Sequence, residues 1–237
     1  MAVLTINNSA CGTPTALGYG ALYNWNVTQD ARLISSDDDF IVPTESIARA
    51  LFDYIGTEEE GLNYWLLVGG TLKETGLDNW NSPNEGATNE YGFNAVGTGR
   101  RSADGTFLYL KDTCEILTDS ELGTDDYVWR MYFYSYISDA GLDTEEKQMG
   151  SAIRLCNPTT ANPDGFVGTY TQNNGVVIHT IVINGVEWTM NLNERKYRNG
   201  DWITGFGGGV YTPISNEAWA LLETEAMCYY DDDVNNG

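Results

Sequence analysis

The stretch GGTLKETGLDNWNSPNEGATNEYGF, from Gly69 to Phe93, places the strongest constraint on what this chain can become. Asn, Gly, Thr and Pro fill it almost throughout. Its single large residues, Leu72, Leu77, Trp80, Tyr91 and Phe93, follow neither the helical nor the strand period. Disordered segments lack isolated aromatics that need burial, so the stretch reads as an ordered, irregular loop. In such a loop Asn, Thr and Ser side chains satisfy the backbone, and the few apolar residues pin it to a core. The fold must then be one that uses a long loop as a structural part.

The rest of the chain can supply that core. Its 237 residues are 42% hydrophobic and 12% aromatic, enough for one large or two small domains. Against 12 Lys and Arg stand 34 Asp and Glu, a net charge of -22. That balance argues against nucleic acid or an anionic membrane as partner. The opening MAVLTINNSACG has no basic leader region, and no run approaches the roughly 18 apolar residues of a membrane span. The expectation is a soluble product made in the cytoplasm, with no membrane insertion. Cys11, Cys114, Cys156 and Cys228 form no CxxC pair and read as buried thiols.

A helix is expected after Pro43, capped by Thr44, with Ile47, Ala48, Leu51, Phe52 and Ile55 on one stripe and Gly56 ending it. A second, short helix is expected near Ser215, with Trp219 and Leu222 facing inward. VVIHTIVINGVEWTM reads as a hairpin around Asn184-Gly185, and Asp104-Gly105 as another turn. YVWRMYFYSYI, Tyr127 to Ile137, alternates large residues on both faces, one face core and the other half-exposed. NPTTANPDG, Asn157 to Gly165, is the linker candidate. The fold class is α+β, with strand and loop dominating.

Four segments, GYGALYNWNV (Gly18 to Val27), VPTES (Val42 to Ser46), Gly69 to Arg101 and GSAIRL (Gly150 to Leu155), resemble in order the core of the Fibrobacter succinogenes major paralogous domain. The resemblance covers most of residues 18 to 155, with a divergent patch between. It implies a loop-rich, C-type-lectin-like domain with short helices and a twisted antiparallel sheet, as found in bacterial surface proteins and in phages infecting Bacteroidetes. It also implies that Trp25, Trp80, Pro83 and Phe93 are structural, and Arg154 reads as a buried or half-buried structural arginine paired with one of the many acids. The departures are Phe40-Ile41 where the family shows Trp-His, ILTDSE (Ile116 to Glu121) where it shows Trp-Ser-Ser-Thr, and Leu155 where it shows a Cys. VEWTMNLNERKYRNGD (Val186 to Asp201) and EAWALLETEAMCYYDDD (Glu217 to Asp233) resemble a segment that in many members precedes the Tyr-Gly-Ala-Leu-Tyr-Asn-Trp motif. The order is circularly permuted. The implied division is a lectin-like core over 1–156, a linker over 157–165 and a β-rich C-terminal segment over 166–237. That last segment completes its own unit or a neighbouring copy, and a homo-oligomer is expected.

Catalytic chemistry finds little footing. His179 is the single histidine and sits in the apolar run VVIHTIV, which reads as structural and leaves no triad or multi-histidine site. GFGGGV lacks the Lys-Ser/Thr of a nucleotide loop. With 34 acids, a glycan-hydrolase carboxylate pair arises by chance, so the chain is expected not to be an enzyme. Asp37-Asp38-Asp39, Asp125-Asp126 and Asp231-Asp232-Asp233 are where calcium would bind, but none matches an EF-hand loop and each reads as a solvated face. No cofactor is expected. Binding is the surviving class. Its expected surface is the divergent patch: Tyr127, Trp129, Tyr132, Tyr134, Tyr136 and Asp139, with Tyr132 and Tyr134 first. The resemblance implies a virion protein on a phage head, neck or tail that contacts a host glycan, a host protein or other virion proteins. The alternative is an adhesin at the bacterial cell surface.

Overall fold

In a computed structural model, residues 18–59, 61–123 and 126–237 are described. Cys11 and Asp125 lie outside them. The chain opens with strand β1 (Leu22–Tyr23), helix α1 (Asn26–Gln29) and helix α2 (Glu45–Ile55). Strand β2 (Tyr64–Trp65) and the short helix α3 (Val68–Leu72) follow. After the long loop come β3 (Arg100–Arg101), β4 (Phe107–Leu108), β5 (Thr113–Glu121), β6 (Tyr127–Tyr134) and β7 (Ala140–Glu146). Then come β8 (Cys156–Asn157), β9 (Val167–Thr171), β10 (Val177–Ile183) and β11 (Val186–Thr189). The last elements are β12 (Phe206–Gly207), β13 (Val210–Tyr211), α4 (Asn216–Ala220) and β14 (Met227–Cys228). This is a mixed, sheet-rich α+β fold.

Two four-stranded antiparallel sheets form the frame, in orders β2-β7-β6-β5 and β8-β11-β10-β9. Helix α2 forms as the sequence predicts: the Thr44 hydroxyl accepts the Ile47 N–H, and Gly56 closes it by donating to Phe52 O. Its apolar stripe meets Cys114, Ile116, Met131 and Phe133 on one face of the first sheet and Ile183 and Trp188 of the second, in a single hydrophobic cluster. Asn184 and Gly185 both take positive φ, 53° and 69°, and join β10 to β11 in the expected hairpin. Ser215 caps α4, which buries Trp219.

The Gly69–Phe93 stretch is ordered and mostly irregular, as read, with one difference: its start is the helical turn α3. Gly69 and Gly70 serve close approach. A Cβ on Gly69 would overlap the Asp139 backbone, and one on Gly70 would lie 2.5 Å from Gly86 O. Asn side chains satisfy the loop backbone as expected: Asn84 Nδ2 donates to Glu74 O and Gly76 O, each at 2.8 Å, and Asn89 Oδ1 accepts the Asn94 N–H. Trp80 is buried and donates Nε1–H to Ala95 O at 2.9 Å, and Phe93 is buried beside it in the cluster. Leu77 and Pro83, by contrast, are exposed, because the loop turns outward between its two aromatic anchors.

Arg154 is buried as expected, but its partners are not acids. It reaches Phe93 O, Asn94 O and Asn191 Oδ1, and burial pushes its pKa down to about 10. His179 lies in the expected strand, where alternation turns it outward between the buried Ile178 and Thr180. Cys114, Cys156 and Cys228 are buried free thiols, each pushed up to about 12 by desolvation.

The first and last strands of the described residues meet. Strand β1 pairs with β14, setting Leu22 against Cys228 and Tyr23 against Met227. Tyr23 OH donates to Glu194 O and accepts the Glu194 N–H, while the buried Asn24 side chain donates to Thr224 O and accepts the Ala226 N–H. Trp25, also buried, donates Nε1–H to Thr118 O. The Asn157–Gly165 stretch connects β8 to β9, its Thr160 and Asn162 side chains donating to Glu187.

Candidate functional site

The sheet β2-β7-β6-β5 buries one face under α2. At one end of its other face Leu117 and Val128 enter a second hydrophobic cluster with Trp25, Ile153 and Leu155. Toward the opposite end of β6, Arg130, Tyr132 and Tyr134 project from this face in strand alternation, Arg130 buried and the two tyrosines half-buried.

The tyrosines form a ladder. Tyr132 and Tyr134 rings lie 5.1 Å apart, tilted, and Tyr134 and Tyr136 lie 5.2 Å apart and stacked at 16°. The geometry is that of a stacked aromatic series. Tyr132 is directly opposite Gly141 on β7, and a Cβ at Gly141 would overlap its ring, so the missing side chain is what lets the ring lie flat across the strand. Tyr136 is 60% exposed and Tyr132 and Tyr134 half-buried. Burial pushes the Tyr134 phenol up to about 12, with the nearby Arg130 opposing.

Beneath and beside the ladder runs an ion network. Arg130, buried, pairs with Glu115, with Asp143 at 2.8 Å and with Glu145 at 2.7 Å. Arg100 joins Glu115 and Glu145, and lies 5.2 Å over the Tyr109 ring. Burial pushes the Glu115 carboxyl up, although Arg130 and Arg100 pull against it. Burial opposes the Arg130 charge as well, but Glu115, Asp143 and Glu145 hold it above its ordinary value. Glu115 is wholly buried under this network and presents no carboxyl oxygen to a ligand. The face therefore offers fixed aromatic rings rimmed by charges already paired, an arrangement for contact.

Of the six residues expected to form the contact surface, the structure brings three together: Tyr132, Tyr134 and Tyr136. Trp129 lies on the core face, half-buried against the α2 cluster. Tyr127 is exposed but stands at the far end of β6, where it lines a polar cleft of about 580 Å³ with Asn26, Asp126, Glu146 and Glu223. Asp139 holds the backbone, its Oδ1 accepting the Leu67 N–H at 2.8 Å and so fixing Leu67 in left-handed conformation, φ 64°.

Sequence reasoning missed Lys73, which is fully buried and donates Nζ–H to Tyr134 O and Ile137 O, both at 2.8 Å. It fixes the backbone that carries Tyr136. Arg130 was seen only as a member of the alternation. The Asp143-x-Glu145 spacing on a strand was the available signal for its partners, but only the register places them opposite it. Among the described residues no group of three or more His, Cys, Asp or Glu side chains is arranged to hold a metal ion. Asp38 pairs with Arg198, and Asp232 accepts the Tyr211 hydroxyl at 2.5 Å. No protein-family model, curated protein or solved structure matches this chain.

Proposed function

We propose that this is a non-enzymatic binding protein of C-type-lectin-like architecture, a phage virion component whose ladder of Tyr132, Tyr134 and Tyr136 contacts a host surface glycan or a neighbouring virion protein. One observation carries the reading: a stacked aromatic series, half-buried at Tyr132 and Tyr134 and exposed at Tyr136, stands on a sheet face whose charges are already internally paired. Sugar rings and protein side chains both pack on such rings, and the ordered tyrosines lose little conformational freedom on binding. The lectin-like scaffold and the virion setting rest on the sequence resemblance in the Gly18–Leu155 segments.

The test is attachment of the purified protein to host cells and to an array of host polysaccharides, with Tyr136→Ala and Tyr134→Ala as variants. Binding should weaken at least tenfold for each while Tm stays within a few degrees, as for contact residues outside the core. Full binding by both variants would refute the ladder as the contact surface. Absence of the protein from purified particles would refute the virion setting.

A further inference from the structure

The second sheet carries a different kind of surface. From Gly165 to Val186 the chain has 22 residues without a single Asp, Glu, Lys or Arg, in a protein where 19% of residues are charged and about four would be expected. It is the longest such run among the described residues. It folds as the β9-β10 hairpin, and β9 is an edge strand of its sheet.

The edge is open in its backbone. Val182 N–H donates to Phe166 O and Gln172 N–H to Val176 O, bracketing the β9-β10 ladder. Antiparallel alternation then turns Gly168 and Tyr170 toward β10, and the N–H and C=O groups of Val167, Thr169 and Thr171 away from it. Ser36 Oγ–H donates to Thr171 O. Val167 and Thr169 have no backbone partner on that side among the described residues. Thr169, Thr171, Val177 and His179 are exposed on the adjoining face, and Phe166 is 41% exposed.

Natural edge strands are shielded by charge, proline or cover. In the other sheet β7, flanked only by the two-residue β2 at Ala140 and Gly141, carries Asp143, Glu145 and Glu146 along the rest of its length. The β9 strand, VGTYT, has neither charge nor proline. The carboxylate beneath it, Glu187, is buried and bound by Thr180, Thr160 and Asn162.

The geometry points to β9 as the contact between two copies of this chain, paired antiparallel about a two-fold axis near Gly168. At such an axis any charged side chain meets its own like charge, so self-association selects a strip without charges. In a chain of net charge -22 two copies repel on the whole, and least where they meet along a strip without charges. Val167 and Thr169 of one copy then meet Thr169 and Val167 of the other, each supplying one donor and one acceptor, so the edge is complementary to itself. A foreign partner would be recruited by the acidic surface, which this strip avoids. The inference is independent of the tyrosine ladder, which lies on the other sheet.

Sedimentation equilibrium of the full chain tests it. The wild type should dimerise at micromolar concentration. Dimerisation should tighten as salt rises from about 50 to about 500 mM, because screening removes repulsion between acidic copies and the contact contains no ion pair to weaken. Thr169→Asp and Thr169→Lys should each weaken the dimer at least tenfold with Tm little changed, since Thr169 N–H is outside the ladder. Mixing the two variants should restore a heterodimer. A wild type that stays monomeric at about 100 μM in both salts overturns the proposal. So does a Thr169→Asp variant that dimerises like wild type, a dimer loosened by salt, or variants that fail to recover on mixing.

Discussion

Lys73 offers the most direct test of how the long loop supports the aromatic face. It is fully buried, lies 5.5 Å from the Trp80 ring centre, and has two backbone carbonyls as its hydrogen-bond partners. Burial pushes its pKa down from 10.5 to about 8, with Glu85 opposing weakly. A base with a depressed native pKa is still protonated in the unfolded chain above that value. Between about 8 and 10.5 the unfolded state therefore binds more protons, and stability contributed by this residue rises with pH. From pH 7 to pH 9.5 the gain is about 2 kcal/mol, at roughly 1.4 kcal/mol per pKa unit. Lys73→Met removes the buried charge, which is favourable below pH 8, but leaves the Tyr134 and Ile137 carbonyls without a donor at about 1–3 kcal/mol each. The two effects nearly balance at pH 7. Urea unfolding of both proteins at the two pH values isolates the lysine, because every other titrating group cancels in the difference. Wild type should gain about 2 kcal/mol on the variant between pH 7 and 9.5, and hydrogen exchange should quicken at the amides of Ser135 to Ile137. An unchanged difference would refute the buried charge. A wild type that loses ground as pH rises would mean that Lys73 has a carboxylate partner.

Trp80→Ala removes a buried indole and its bond to Ala95 O, and should cost about 3–5 kcal/mol in a thermal or urea melt. A variant that stays folded with an unchanged Tm would show that the loop is not anchored there. A chain ending at Ala161 loses β9 to β11 and β14, opening both hydrophobic clusters to water, and should aggregate when expressed. A stable monomer of that length would show that the first sheet and α2 form a sufficient core.

Local signals in this sequence were legible wherever a few neighbouring residues decide the outcome. Thr44 and Gly56 fix the ends of α2, Asn184-Gly185 fixes a hairpin, and the Asn-rich loop satisfies its own backbone. Outcomes that depend on what lies across the sheet were less so. Alternation alone could not say which face of β6 is covered, and so it joined Trp129 to the tyrosines although Trp129 packs on the opposite side. His179 sits in an apolar run, yet strand alternation turns it out with Val177 while Ile178 and Thr180 face inward. Asp139 has the composition of a binding residue but spends its carboxylate on the Leu67 N–H, a bond visible only once the loop lies against α3. The flat Tyr132 needed Gly141, nine residues away and directly opposite in register.

The buried cations show why pairing rules drawn from composition failed. With 34 acids to choose from, a buried base is expected to find a carboxylate, and Arg130 does. Lys73, Arg101 and Arg154 instead donate chiefly to backbone carbonyls: Tyr134 and Ile137, Gly105 and Ile214, Phe93 and Asn94. Apart from Tyr134 O, at the last residue of β6, each of those carbonyls belongs to an irregular segment at a junction with a sheet or with the C-terminal part of the chain. Irregular backbone has no ladder to absorb its acceptors, and a buried acceptor left unpaired is costly. A long side chain with several donors can satisfy two such acceptors at once and tie two segments together. A carboxylate cannot do this, since it brings only more acceptors. In a loop-rich fold made from an acid-rich chain, the scarce cations are therefore held where loop meets frame, and a lone Lys or Arg inside an Asn- and Gly-rich segment is better read as a carbonyl clamp than as half of an ion pair.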